Sequence, residues 1–452
     1  DKTTVADNDH IVLEITDPGL NLDPTFPDEW TFGVTQTAGS ETLTWRGNMT
    51  DTYGGNTALT RANIKTAGFG DGGYLAVTDG GSALNSATIT VYETGANTGV
   101  FTSLMSNDTS DLRTGAQSSA SGDDVITINY AGNKINLIVA YTDMSMTLDA
   151  GDEWTAGEAA TLTIVDSDSN KMSNSAETLD TNDEGYPVPT ITLGSPYWCN
   201  DNSSVTIDGA TISSPRQVDS DSKRCQFAST ALTADTVTHI NTTLGSATGA
   251  DLAKWDMDGT VVIGYDVSEI ADLIEDTAAI TEIRVEIATN VTRNSVAGTE
   301  TAHTGEFLLL STGNVSKKGT YKCQDMKHAW DCTNLTHASA PIVSVIITHG
   351  SAALAADTYA ISTDIMHFDQ DDTSVAHDAI YRVEAVETGP DTGVFEGTVA
   401  YMNMNASNTD AAMQDSIVQN NQNVIIGIRS GVSGTDAPRV EFNDTNSVGS
   451  FS

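Results

Sequence analysis

Basic residues are scarce in this chain: 20 Lys and Arg stand against 62 Asp and Glu among 452 residues, a formal charge of −42. Binding to nucleic acid or to anionic lipid surfaces depends on cationic side chains that neutralise phosphate, so a surface of this sign argues against both partners. No apolar run reaches the roughly 18 residues of a spanning helix, which leaves no direct membrane span of that kind in the sequence. Asp1-Lys2-Thr3-Thr4 has no apolar region of the signal-peptide type. Catalytic signatures are missing as well: there is no Gly-x-Ser-x-Gly elbow, no phosphate-binding loop, no His-Glu-x-x-His and no Cys-x-x-Cys pair. The expectation is a protein that is not an enzyme.

Cysteine is limited to Cys199, Cys225, Cys323 and Cys332. Four cysteines allow three pairings, and proximity favours Cys199–Cys225 and Cys323–Cys332. Cys323, His328, Cys332 and His337 also spell C-x4-H-x3-C-x4-H, a donor set for zinc or copper. That spacing fits no zinc finger well, and an oxidising location closes thiols first, so the disulfide is the favoured reading.

What is abundant is acid and turn chemistry. Carboxylate oxygens are the ligands that Ca²⁺ prefers, so the surface is expected to concentrate small cations. The same charge keeps a protein hydrated in concentrated salt, and the two readings coexist. Thr-rich, β-branched runs of period two recur along the chain, among them Ile11-Val12-Leu13-Glu14-Ile15, Val125-Ile126-Thr127-Ile128, Ala160-Thr161-Leu162-Thr163-Ile164-Val165 and Ile283-Arg284-Val285-Glu286-Ile287. Gly, Asp and Asn bound them, which predicts an all-β chain of many short strands. Only Ser268 to Thr277 has helical spacing, with Ile270, Leu273 and Ile274 on one face and Ser268 as its cap. Asp256-Met257-Asp258-Gly259 reads as a turn. At roughly 150 residues per domain, the length predicts about three domains.

Internal repeats carry the most information. Glu93-Thr94-Gly95-Ala96-Asn97-Thr98-Gly99-Val100-Phe101 returns as Glu387-Thr388-Gly389-Pro390-Asp391-Thr392-Gly393-Val394-Phe395, and a shorter relic runs from Glu300 to Phe307. Each follows an alternating strand and precedes another, as a corner between strands would. A second element is a strand running into an Asp-rich loop: Asp17 to Pro24, Asp166 to Lys171 and, in degenerate form, Ile361 to Asp369.

A strand, then DPGLNLDP, then ETG-x-x-TGVF later in the same module resembles the repeating modules of archaeal surface-layer (S-layer) proteins, those of ammonia-oxidising archaea in particular. The complete pair of motifs covers residues 11–101; the later modules keep one motif each in full. The resemblance implies tandem immunoglobulin-like β-sandwich domains with at most short helices, export to the cell surface, Ca²⁺ in the loops, glycosylation and assembly of copies into a lattice. Module boundaries are expected at 1–143, 144–338 (with an insertion, both disulfides and a further division near 230) and 339–452.

Candidate metal ligands are Asp17, Asn21 and Asp23 in the first loop and Asp166, Asp168, Asn170 and Glu177 in the second. Counting Asp166 as one, Glu177 stands at position twelve, the oxygen spacing of an EF-hand. Lys171 replaces the turn glycine and a strand precedes the loop, so a true EF-hand is not expected; an Asx-turn loop is the alternative to a Ca²⁺ loop. Sequons stand at Asn48, Asn107, Asn202, Asn241, Asn290, Asn314, Asn334, Asn405 and Asn443. Three functions follow as expectations. The first is a Ca²⁺-stabilised subunit, or segment, of an extracellular S-layer lattice. The second is a filament subunit joined by strand addition. The third is an adhesin whose Trp30, Trp45 or Trp154 stacks on sugar, with core burial the alternative for each.

Overall fold

The computed structural model describes residues 4–5, 10–33, 42–46, 57–60, 75–78, 88–105, 110, 112, 125–130, 133–139, 142–149, 158–172, 174–181, 186–200, 203–208, 210–211, 222–228, 235–289, 306–323, 331–352, 358–370, 375–404, 424–428, 439–443 and 450–451. The chain is all-β, as the period-two runs predict, with several largely antiparallel sheets. Among the described residues the α-helices are Gly249–Asp258 and Ser268–Glu275, and no helix is long and apolar enough to cross a membrane.

Alternation becomes burial directly. Along Ala159–Val165, Ala160, Leu162 and Ile164 point into the core while Thr161 and Val165 are exposed. Thr260–Asp266 departs from the alternation and is buried at every position, because the helix Gly249–Asp258 packs against it and strands flank it on both sides. Ile270 and Ile274 fix the second helix by the expected face, but its cap is Val267; Ser268 is the first helical residue and donates its N–H to Asp266 Oδ1 at 2.9 Å. The Asp256–Gly259 turn is corrected too. Asp256 to Asp258 close the first helix, which begins with a reciprocal capping box between Thr248 and Asp251.

Among the described residues, three cores organise the strands. The first gathers Trp30, Phe32, Ile89, Phe101, Ile126 and Leu137 between a six-stranded and a four-stranded sheet. The six-stranded sheet runs in the order Glu14–Thr16, Val100–Thr102, Thr88–Glu93, Glu29–Gly33, Thr42–Arg46, Thr57–Thr60. The second core joins two distant stretches, Met144 to Ile191 and Val383 to Phe442. The third lies between them in sequence, from Cys199 to Ile365, and holds both disulfides, Cys199–Cys225 and Cys323–Cys332.

Strand pairing crosses the expected boundary at residue 338. Ala159–Val165 pairs with Val394–Met404, Thr260–Asp266 with Thr358–Gln370, and Asp235–Thr243 with Ile342–Ala352. Pairing also spans the possible division near 230, where Ser204–Ile207 meets Asp235–Thr243. Pattern alone shows where strands are, whereas their partners depend on long-range pairing.

Ile361 to Asp369, expected as a third Asp loop, lies wholly inside the strand Thr358–Gln370. Its Asp364 is tolerated there because Arg382 forks onto it with bonds of 2.6 and 2.9 Å. Arg382 also donates to the carbonyls of Ser222, at 2.8 Å, and Lys223, so one guanidinium ties together three stretches of chain. Both side chains are almost fully buried. Removing one partner of such a pair strands a buried charge, so Arg382→Met should cost about 3–5 kcal/mol in urea denaturation. The double variant Arg382→Met/Asp364→Leu should recover most of that loss.

Candidate functional site: one corner built twice

In the first unit the strand Thr88–Glu93 ends at an acid that organises everything after it. Glu93 Oε1 accepts the N–H groups of Thr98 and Gly99, both at 2.7 Å, and the Thr98 hydroxyl at 3.3 Å. Its Oε2 accepts the Asp28 N–H at 3.1 Å, while its own N–H returns to the Asp28 carbonyl. The loop turns through Asn97 and Gly99, at φ 59° and 64°. Gly99 is required twice over: its backbone is left-handed, and a Cβ there would lie 3.0 Å from the Pro18 Cα. The Gly99 carbonyl then receives the Asp17 N–H at 2.9 Å, which joins the corner to the Asp loop.

The second unit repeats this bond for bond. Glu387 Oε1 accepts Thr392 N–H at 2.7 Å and Gly393 N–H at 2.8 Å, and Oε2 accepts the Glu177 N–H at 3.3 Å. Asp391 and Gly393 take the positive φ values, and the Asp166 N–H reaches the Gly393 carbonyl at 2.8 Å. Asp17 through Asp28 map onto Asp166 through Glu177 at a constant offset of 149 residues, and Glu93 through Thr102 onto Glu387 through Glu396 at 294. The Asp166 loop therefore belongs with the Glu387 corner, and the assignment of these two motifs to separate modules is corrected. The Glu300 relic lies outside the described residues up to Gly305.

The predicted ligands are brought together only in part. Asp17 accepts Gly19 N–H and the Tyr130 hydroxyl, the latter at 2.5 Å. Asp23 turns away to cap Thr25. Asp166 is engaged within its own loop by Asp168 N–H and the Ser169 hydroxyl, and Asp168 receives Thr142. These are Asx-turn and capping roles, and they dismantle the EF-hand pattern. What converges in the second corner is Asn170, Glu177, Glu387 and Asp391: Asn170 Nδ2 donates to Asp391 Oδ1 at 3.3 Å, and the Glu177 side chain meets that of Glu387. The first corner repeats the amide contact, from Asn21 Nδ2 to Asn97 Oδ1 at 2.9 Å. Glu387, Asp391, Glu93 and Asn97 were visible in the repeated motif, but spacing alone assigned them no role.

Electrostatics separates the two acids of the second corner. Burial works against the charge of Glu387, yet contact with Glu177 and the N–H groups of Gly393 and Thr392 more than offset it and hold its carboxyl low. Glu177 is pushed up to about 8, first by burial and then by Glu387 beside it. In the first corner the same position is Asp28, which caps the N–H groups of Leu22 and Asp23 as Glu177 caps those of Lys171 and Met172.

Oxygen donors suit a hard cation such as Ca²⁺. Asn21 Oδ1, Asn170 Oδ1 and Glu177 Oε2 are enclosed and accept no hydrogen bond, and Asn170 and Glu177 are buried residues. Among the described residues, however, no three His, Cys, Asp or Glu side chains come close enough to hold a metal. The oxygens nearest to a cation-holding set are those of Glu177, Glu387 and the Asn170 amide in the second corner; the first corner has fewer acids.

The remaining candidates fall out simply. Cys323 and Cys332 are bonded to each other, which removes the zinc or copper set; His328 lies outside the described residues. Trp30 is fully buried with its Nε1 on the Leu20 carbonyl at 2.8 Å, so it is core; the side chains of Trp45 and Trp154 lie outside the described residues. Asn241 is buried mid-strand, with its amide bonded to Thr206 and Ser344, and cannot present a glycan from the folded chain. Asn334 is exposed. The side chains of Asn48, Asn107, Asn202, Asn290, Asn314, Asn405 and Asn443 lie outside the described residues. No protein-family model and no curated protein matches the chain.

Glu177 gives this corner a pH signature. It is an acid whose folded value, about 8, exceeds the ordinary 4.5, so the folded chain holds that proton more tightly than the unfolded chain between those values. Its contribution to stability is therefore full at acid pH and falls as pH rises through the window. Glu177→Gln keeps a donor toward Glu387 without titrating. With chelator present, the stability difference between Glu177→Gln and wild type should grow in favour of the variant from pH 5 to pH 8; parallel pH curves would contradict the assignment.

Proposed function

We propose that the chain is a structural subunit, or a segment of one, of an extracellular surface-layer lattice, built from immunoglobulin-like modules and stabilised by Ca²⁺. The observation that carries this reading is the corner built twice. A clasp that joins two strand ends, repeated with its hydrogen bonds intact, serves the stiffness of tandem modules. The two disulfides and the exposed Asn334 sequon accord with export. The charge of −42 supports a surface that draws small cations and excludes anions over roughly a Debye length, about 8 Å at physiological salt.

Ca²⁺ has a definite role in this reading. Held by Glu177, Glu387 and Asn170, it would supply the positive charge that two buried acids lack, and would satisfy the unpaired oxygens. Binding only to the folded chain, it should add about 2.7 kcal/mol of stability at a hundredfold excess over its Kd. Electron microscopy of the native assembly tests the whole reading. A two-dimensional sheet that dissolves under chelator and re-forms with Ca²⁺ is expected. One-dimensional helical growth indifferent to chelator would favour a filament, and a monomer at high concentration with Ca²⁺ would overturn assembly altogether.

A further inference from the structure

The helix Gly249–Asp258 is held in different ways at its two ends. At its start, beyond the Thr248–Asp251 capping box, Gly249 N–H bonds the Ser339 carbonyl at 3.1 Å and Ala250 N–H bonds that of His337 at 3.2 Å. Its closing turn rests on side chains. The Trp255 ring stacks on both Tyr197 and His367, with 4.8 Å between ring centres in each case. One residue further on, Asp256 Oδ2 accepts the Thr333 N–H at 3.2 Å.

That N–H has a second acceptor. Asp331 caps the short 3₁₀ turn Cys332–Asn334, and its Oδ1 takes the same Thr333 N–H at 3.2 Å, the Thr333 hydroxyl, and the Asn334 side-chain amide at 3.2 Å. Two carboxylates from different elements thus converge on one donor. Asp256 also lies in the last turn of its helix, which has no basic residue and where the backbone dipole opposes negative charge. Burial first, then the charge of Asp331, push the Asp256 carboxyl up to about 6, while the Thr333 and Cys332 N–H groups and Lys322 pull the other way. Lys322, on the strand Lys318–Lys322, is the cation that faces the two acids. Beside Trp255 the titratable groups are Tyr197 and His367, the latter bonded to Asp378 at 3.3 Å; Asp251 and His337 lie at the opposite end of the helix.

We propose that the closing turn of this helix is an acid-tightened latch on the disulfide-closed loop: a proton held between Asp256 and Asp331 keeps the turn down, and its loss lets the two acids repel and the turn open. Protonated, Asp256 meets Asp331 as a neutral acid; ionised, it meets Asp331 as a like charge across a shared N–H. The Cys323–Cys332 bond keeps the ends of the loop together throughout, so the movement is local and reversible. The folded value of Asp256 exceeds the ordinary 3.8, so the closed contact binds the proton more tightly than the open one. Closure is therefore strongest below about pH 4 and weakens as pH rises through about 6.

Neither Ca²⁺ nor assembly enters this latch, so it is tested on the full chain with chelator present. Hydrogen exchange reads it at the Thr333, Asn334 and Leu335 amides, each expressed as protection relative to its intrinsic rate. From pH 4 to pH 7 wild type should lose protection there by about tenfold or more, while the strand Thr260–Asp266 keeps its own. Asp256→Asn retains an oxygen for the Thr333 N–H and offers Asp331 a donor that does not titrate. Its protection at pH 7 should match that of wild type at pH 4, and Asp331→Asn, which removes the other charge, should flatten the profile as well. Level protection in wild type, or a fall with pH that survives both substitutions, would overturn the latch. A loss shared equally by Thr260–Asp266 would be global unfolding and would overturn it too. Should Asp256→Asn fail to fold, the wild-type profile and Asp331→Asn decide.

Discussion

A buried carboxylate that accepts two consecutive backbone N–H groups is the interaction on which the rest of this structure depends. Glu93 and Glu387 each sit at the end of a strand and draw in the N–H groups of the Thr-Gly pair beyond the turn. Charge-assisted bonds of this kind are about twice as strong as neutral ones, and they are short here because burial leaves the acid no water to prefer. By fixing the glycine, the acid presents that residue's carbonyl to the Asp loop and so sets where the first strand of the unit lies. In the second unit this reaches across the whole inserted third core, binding residues near 166 to residues near 393.

The two copies differ where one methylene was added. Both Asp28 and Glu177 cap the loop beside them, but the Glu177 carboxyl also meets that of Glu387 and becomes a buried acid that keeps its proton. The first corner is thus a purely structural clasp. The second carries a carboxyl pair with an unsatisfied oxygen, a state that a proton or a cation resolves. That contrast makes the second corner the more responsive of the two, and it lies where the chain from the first unit, through His10 and Thr142, packs onto it.

Much of this was legible in the sequence. Alternation along Ala160-Thr161-Leu162-Thr163-Ile164 reads directly as a half-buried strand, and Ile270 and Ile274 as a helix face, although Leu273, expected on that face, is exposed. The repeated Glu-Thr-Gly and Thr-Gly-Val-Phe signalled a corner between strands. Pairing was not legible. Nothing local tells Asp166 that its partner is Gly393, because the register is chosen by cores that form across distant segments. Nor could spacing show that Asp23 would serve Thr25, or that Asp168 would serve Thr142: short acidic side chains satisfy nearby N–H groups before they gather around an ion. Asp364 misled for a related reason, since an Asp in a strand reads as a loop until Arg382 arrives from elsewhere.

The role of the corner acid is tested most directly by hydrogen exchange, residue by residue, in Glu387→Ala. The expected result is faster exchange, by about tenfold or more, at Thr392, Gly393 and Asp166 together, with Thr98 and Gly99 in the first corner unchanged. Undiminished protection at Asp166 would contradict the account, because the distant strand would then be held without the clasp.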